Sequence, residues 1–312
     1  MLSSALLTTP LRSIILAAAG NARVEQFVAG SPVSRSVVRR FVAGQDVEAA
    51  VATSRALTDS GLAVSLDHLG EDTTDAGQAD ATVQAYLLVL DRLGEAGLTA
   101  GGRVEVSVKL SAVGQGLSDE LALEGARTIC AAAAAVGTTV TLDMEDHSTT
   151  DRTLATLAKL RAEYPATGAV LQAYLHRTLE DCQALATPGS RVRLCKGAYA
   201  ESAQVAYQGQ EAVRAAYVRC LEVLMAGEGH PMVATHDPRL IEHTIGLGRT
   251  KPYEFQLLFG IRPLEQQRLA AAGHTVRVYV PYGDQWYGYL MRRLAERPAN
   301  LGFFLRALAS RS

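Results

Sequence analysis

Hydrophobic and polar positions along this chain switch repeatedly between two periods. Val276, Val278 and Val280 alternate with Arg277 and Tyr279, the period of two of a β-strand. Pro281 and Gly283 break that strand, and residues 285–297 read as a helix stopped by Pro298. Upstream, Ile14, Ile15, Ala18, Val37, Val38 and Phe41 fall at helical spacing, and 46–60 reads as a further helix closed by Gly61. Beyond Gly61 short apolar runs predict strands at 63–67, 103–110, 138–143, 169–174, 191–195, 232–236, 253–258 and 276–280. Helices are predicted between them at about 76–94, 118–136 and 148–164, from 178, after Glu201, from Pro238, and at 264–272. Ser118 is the expected N-cap of one, and Pro238 occupies the first turn of another.

Eight strands alternating with helices imply a parallel sheet with crossover helices, and so an α/β protein. Eight such units suit a (β/α)8 barrel better than an open sheet. The expected division is an N-terminal helical segment, 1–61, packed on or covering the barrel, and a catalytic barrel, 62–312. No GxGxxG follows a strand, which argues against a Rossmann site, and there is no Walker A motif and no HExxH.

Composition narrows the picture further. With 312 residues, 48% of them hydrophobic, the chain can bury a large core. A net charge of −2 gives no reason to expect nucleic acid as partner. Four cysteines without a CxxC read as reduced, mostly buried thiols. At the start an apolar stretch lacks a preceding basic region and is interrupted by Arg12, so it reads as an amphipathic helix and not a signal peptide. No apolar run reaches the roughly 18 residues needed to span a bilayer. The expectation is a cytoplasmic protein. The basic stretch SRSVVRRF, read as a solvated face, leaves room for a peripheral contact on the inner face of the membrane.

In such barrels the site lies at the C-terminal ends of the strands. Polar groups recur there: Glu71 beyond the first strand, Lys109, Asp143, Gln172, Arg193 with Lys196, His236, Gln256 and Tyr279. A rim of converging polar groups is what a ligand site needs. On the last helix Tyr289, Arg292 and Arg293 share neighbouring faces. Two adjacent guanidiniums suit a carboxylate or phosphate between them; the plain alternative is a solvated basic face with Glu296 as partner. Six histidines, His68, His147, His176, His230, His243 and His274, show no metal-ligand spacing, and DMEDH after the third strand is not read as a metal site. Trp286 and Tyr287 read as packing residues.

SLDHLGE, VSVKLSA, LDMEDH, VLQAY, RLCKGAY, ATHD, YEFQLLFGI and YLMRRLAERPAN occur in this order from about Leu66 onward. Together with YVPYG they resemble the motifs of the proline dehydrogenase family, which includes single-activity enzymes and one domain of bifunctional proline utilisation proteins. The resemblance implies a distorted (β/α)8 barrel holding FAD non-covalently. It also implies oxidation of L-proline to Δ1-pyrroline-5-carboxylate, with electrons passed to a membrane quinone. Lys109, Arg292 and Arg293 match cations that bind the substrate carboxylate, and Glu71 an acid that pairs with Arg292. Tyr279, Tyr289 and Leu258 match side chains packed on the pyrrolidine ring. Asp143 matches a carboxylate at the substrate–flavin end near Lys109, and Arg193 an arginine near flavin N5. Gln172, Cys195, Lys196, Gly197, Ala198, His236 and Gln256 match the FAD-binding surface, and Glu296 an acid at the FAD ribose or supporting the arginines. Asp237 stands where the family usually has Asn, which would put a carboxylate near the cofactor, and Cys195 where it usually has Val. With no second catalytic domain legible, onward oxidation of the product is expected from a separate pyrroline-5-carboxylate dehydrogenase. Three rivals stay open on the residues alone: a lyase using Lys109 or Lys196 as a Schiff base, a folate-directed flavoprotein of the same barrel class, and a non-enzymatic carrier.

Overall fold

A computed structural model describes residues 38–290. Eight parallel strands alternate with helices, as the pattern predicts. The strands are β1 (Ala63–His68), β2 (Val104–Val108), β3 (Val140–Leu142), β4 (Ala169–Gln172), β5 (Arg191–Cys195), β6 (His230–Ala234), β7 (Glu254–Leu258) and β8 (Thr275–Tyr282). Among the described residues helix α1 (Val47–Asp59) precedes them. The crossovers are α2 (Ala76–Glu95), α3 (Asp119–Ala135), α4 (Thr150–Glu163), α5 (Thr178–Leu185), α6 (Gln210–Ala226), α7 (Pro238–Gly246) and α8 (Pro263–Ala271). Ser118 caps α3 as expected, accepting the amides of Glu120 and Leu121, and Asp46 caps α1, accepting that of Ala49 at 2.8 Å. Helix α6 starts at Gln210, later than directly after Glu201, because residues 197–209 are held as a loop. Tyr207 N–H donates to Tyr174 at 2.7 Å and His176 N–H to Val205 at 2.9 Å.

Hydrogen-bonded strand order runs β3-β2-β1-β8-β7-β6-β5-β4. Closure between β3 and β4 passes through Gly168, whose carbonyl accepts Leu142 N–H at 2.9 Å and whose amide donates to Val140 at 2.8 Å. A Cβ at Gly168 would lie 2.6 Å from the Thr141 hydroxyl, so only glycine permits this approach. The result is a closed but uneven barrel.

Alternation places one set of strand residues outward against the helices and the other inward. The outward set (Val64, Leu66, Val106, Leu171, Leu194, Phe255, Leu257, Val278) joins Tyr86, Leu90, Ile129, Leu160 and Leu221 from the helices in one hydrophobic core. The inward set is mostly polar: Ser65, Asp67, Glu105, Ser107, Thr141, Arg193, Glu254, Gln256 and Arg277 are all buried, with Val170 and Met232 among them. Barrel interiors are more often filled by branched apolar side chains.

Of the N-terminal segment, the described part lies along the barrel wall. Ala43 N–H donates to Pro281 and Gly283 N–H to Gly44, each at 2.9 Å, at the C-terminal end of β8. Helix α1 then runs beside β1, β8 and α2. Among the described residues no helix is long and apolar enough to cross a membrane.

Candidate active site

The C-terminal ends of the strands gather the predicted polar residues around one guanidinium. Arg193, buried on β5, reaches across the barrel. It donates to Ser107 Oγ on β2 at 2.9 Å, to Asp143 Oδ1 beyond β3 at 2.7 Å and to Ser65 Oγ on β1 at 3.1 Å. Its Nε donates to Gln256 on β7, and its guanidinium stacks 5.3 Å from the Tyr279 ring on β8. Five walls of the barrel thus converge on one permanent cation. Asp143 also accepts the Tyr279 hydroxyl at 2.7 Å and the Ser107 hydroxyl at 2.8 Å. Burial, then the charges of Asp143 and Asp67, push the Tyr279 phenol well above its ordinary value, so it remains a donor.

Lys109 follows β2 directly and is not a bare cation. Its ammonium sits 2.7 and 2.8 Å from the two oxygens of Asp67, a residue 1% exposed on β1. Burial acts to lift Asp67 and to lower Lys109. The pair is read as ammonium and carboxylate because Asp67, Asp143 and Glu71 all surround that nitrogen and raise it above its ordinary value. Part of the compensation for the Lys109 charge is therefore internal to the barrel. Glu71 lies half-buried just past β1. Leu258 ends β7 half-buried, and Tyr289 is 7% exposed beside buried Trp286 and Tyr287, which pack as expected. Arg292, Arg293 and Glu296 lie outside the described residues.

Residues assigned to the cofactor surface line the β4–β7 side. The Gln172 amide donates to the Glu145 carbonyl at 2.7 Å. Cys195 is half-buried, and burial pushes its thiol up to about 11. Gly197 has φ +102°, and a Cβ there would collide with the Tyr174 ring at 2.1 Å. Ala198 is exposed. His236 accepts the Leu258 amide on Nε2 at 3.0 Å, which makes it a neutral imidazole protonated on Nδ1. Asp237 caps α7 and binds Lys196 at 2.8 Å and Arg214 at 3.1 Å. The departure from Asn therefore places its carboxylate between two cations.

Asp67, Ser65, Ser107, Glu105 and Glu254 were not singled out from sequence. Gln256 donates to Glu254 at 2.6 Å and accepts Arg193, so Glu254 fixes the amide orientation that Arg193 meets. The available signal was the period of two inside β1 and β2, where Ser65 and Asp67 or Glu105 and Ser107 share a face.

The family model described as proline dehydrogenase matches residues 50–306. Proline dehydrogenase 1 of Bacillus subtilis (strain 168) is 37% identical over 306 residues, covering 96% of this chain and 99% of that protein. Proline dehydrogenase of Deinococcus radiodurans is 38% identical over 308 residues, covering 95% and 97%. The crystal structure of proline utilization A (PutA) from Bdellovibrio bacteriovorus inactivated by N-propargylglycine matches with a TM-score of 0.77 at 23% identity. That match covers 89% of this chain but 34% of the PutA chain, so this chain spans about a third of it and the likeness speaks to the fold.

Proposed function

The chain belongs to the proline dehydrogenase family, and from this premise we propose that it oxidises L-proline to Δ1-pyrroline-5-carboxylate using a non-covalently held FAD, passing the electrons to a quinone. As a member of that family it is an oxidoreductase acting at the first step of proline catabolism. The observation that carries the finer reading is the convergence on Arg193, with Tyr279 stacked on it, Lys109 at the end of β2 and Lys196 just past the end of β5.

The donor set fits a flavin. Arg193 supplies a fixed cation for a ring that gains negative charge on reduction, and Lys196 supplies an ammonium 36% exposed at the rim. Gly197, at φ +102° against the Tyr174 ring, gives the rim a bare backbone that a ligand can approach closely. Gln172, Cys195, Lys196, Gly197, Ala198, His236, Asp237 and Gln256 would form the holding surface, with Glu296. When bound, the flavin supplies the hydride acceptor.

Everything else falls to the side chains. Lys109, with Arg292 and Arg293, would hold the proline carboxylate, and Asp67 keeps the ammonium charged for that task. Its two contacts with Asp67 engage at most two of three N–H groups. A lysine held in its charged form by Asp67 is a poor nucleophile, which argues against Lys109 as a Schiff base. Tyr279, Tyr289 and Leu258 would pack the ring, and the Tyr279 phenol, tied to Asp143, would crowd a ring hydroxyl and favour proline over 4-hydroxyproline. Asp143 and Glu254, through Gln256, hold Arg193 in place. Hydride leaves only from the neutral amine, so turnover should rise with pH through ionisation of bound proline. A flat profile from about pH 6 to 9 with chemistry rate-limiting would count against this.

The deciding experiment is the visible spectrum of the purified protein before and after anaerobic L-proline. Flavin bands that bleach support the reading. Bands that ignore proline point to another amine or a folate, and a colourless protein that cannot take up FAD overturns the cofactor and brings a carrier forward. Reduction of a soluble quinone by the bleached protein tests the acceptor.

A further inference from the structure

One residue, directly and through Ser111, links the loops after β1, β2 and β3 and the end of β4 at the barrel mouth. Glu145 stands two residues beyond Asp143 and is 8% exposed. Its Oε1 accepts the Ser111 amide at 3.0 Å and its Oε2 the Ser111 hydroxyl. Its backbone carbonyl accepts the Gln172 amide at 2.7 Å. Ser111, two residues past Lys109, in turn holds the loop after β1. Its hydroxyl oxygen accepts Asp72 N–H at 3.3 Å, and its carbonyl accepts the Thr73 amide at 3.2 Å and the Thr73 hydroxyl at 2.9 Å.

Asp72 immediately follows Glu71 and has φ +53°, a region that a residue with a Cβ keeps only where its surroundings over-determine it. The contacts to Ser111 supply that constraint. A serine hydroxyl has one proton and two lone pairs. While its proton is committed to Glu145, its oxygen is turned to receive Asp72. Remove the carboxylate and the hydroxyl loses its acceptor while the buried Ser111 amide loses its partner. The two segments bearing Glu71 and Lys109 then keep only the Thr73 bonds to the Ser111 carbonyl as a fastening at this point, on a Ser111 that is itself no longer anchored.

We propose that Glu145 is a positioning residue for substrate binding: through Ser111 its carboxylate sets the placement of Glu71 and Lys109 relative to each other. This rests on the reading that these two side chains face the substrate. Arg193, Gln256 and Glu254 are held by separate contacts across the barrel, so loss of Glu145 should disturb substrate binding more than the chemical step.

The test uses holoprotein, proline and a dye acceptor, with hydrogen exchange of residues 69–75 followed in parallel. Glu145→Ala should raise KM for proline about 10- to 100-fold while kcat stays within about threefold, the split expected when placement is lost and transition-state contacts are kept. Exchange at 69–75 should accelerate. Glu145→Gln, whose amide can still accept the Ser111 N–H and meet its hydroxyl, should recover most of the KM. Ser111→Ala should reproduce part of the rise, and adding it to Glu145→Ala should make things little worse, as for residues in one chain of contacts. If Glu145→Ala does not fold, Ser111→Ala decides alone. A KM unchanged within about twofold with unchanged exchange, or a fall in kcat without a rise in KM, overturns the proposal. A wild-type protein that ignores proline would instead fail the functional reading, and exchange at 69–75 would still test the fastening by itself.

Discussion

Two layers of buried charge fill this barrel, and they are satisfied in different ways. Nearer the N-terminal ends of the strands, Glu254 accepts Arg277 at 2.8 and 3.2 Å and Gln256 at 2.6 Å. Glu105 meets Arg191, the Thr141 hydroxyl at 3.1 Å, and Arg193 at 3.5 Å. Arg277 spends its remaining donors on the carbonyls of Val64, Arg103 and Gly102. Burial acts to raise both glutamates, but Arg191 and Arg277 outweigh it and hold them below the usual carboxylate range. Side chains in that layer are at most 14% exposed, and its two carboxylates at most 2%. At the other end Lys109 is 14% exposed beside a carboxylate at 1%, Asp143 is 13% exposed, and Lys196 is 36% exposed. Buried ion pairing is common to both layers and does not by itself mark a site. What distinguishes the mouth is that its charges keep donors and surface available to an arriving ligand.

The comparison breaks most simply from below. Arg277→Leu would take from Glu254 its arginine partner and from the Val64, Arg103 and Gly102 carbonyls one donor each, and removing one partner of a buried pair costs about 3–5 kcal/mol. Denaturant unfolding should show that loss, and a change below about 1 kcal/mol would mean the lower layer is not the structural one. The complementary change is Lys109→Met at the mouth. Truncating a charged partner at a binding site costs about 2–5 kcal/mol of binding or transition-state energy. At roughly tenfold per 1.4 kcal/mol, kcat/KM for proline should fall by about 10²- to 10³-fold. Its loss of stability should be smaller than that of Arg277→Leu, because Asp67 can take up a proton when its partner is gone. Equal losses of stability in the two variants would erase the distinction between the layers.

These two layers also mark where sequence reading stops. Outward positions such as Val64, Leu66, Val278 and Val280 follow a local period, and so do caps such as Ser118, so strands and helices could be placed from neighbours in the chain. The polar strand ends were legible for the same reason. Lys109, Asp143, Arg193, Gln256 and Tyr279 were each found, and the barrel brings all five to one place. Their partners were not. Asp67 sits in what reads as the short apolar run AVSLD, and its pairing with Lys109 depends on β1 lying beside β2 with Asp67 opposite Ser107. Glu105 meets Arg191 across 86 positions of sequence, from one side of the barrel to the other. Such pairs are set by register and closure, which no local pattern encodes. Glu145 was seen in DMEDH, but its tie to Ser111 is again a contact between loops.

The smallest effect sharpens the comparison at the rim, where a charge is both paired and partly reachable. Burial alone would raise Asp237, but hydrogen bonds from Lys196 and Arg214 outweigh it and hold the carboxyl at about 2, against an ordinary 3.8. A depressed folded-state value means that folding is favoured by the ionised form. The stabilisation is therefore fully present above the ordinary value and is lost as pH falls through about 2. With Lys196 36% exposed the pair is screened, and its worth is about 1–2 kcal/mol. Asp237→Asn keeps an N-cap for α7 but cannot ionise, so its unfolding free energy should fall less steeply than wild type between about pH 4 and 2. The two proteins should differ most near neutral pH and converge in acid. Parallel acid limbs would show that Asp237 contributes only as a cap. Salt separates the layers once more: high ionic strength should shrink the difference made by Asp237 and leave that made by Arg277 nearly unchanged, because only the rim pair is open to screening.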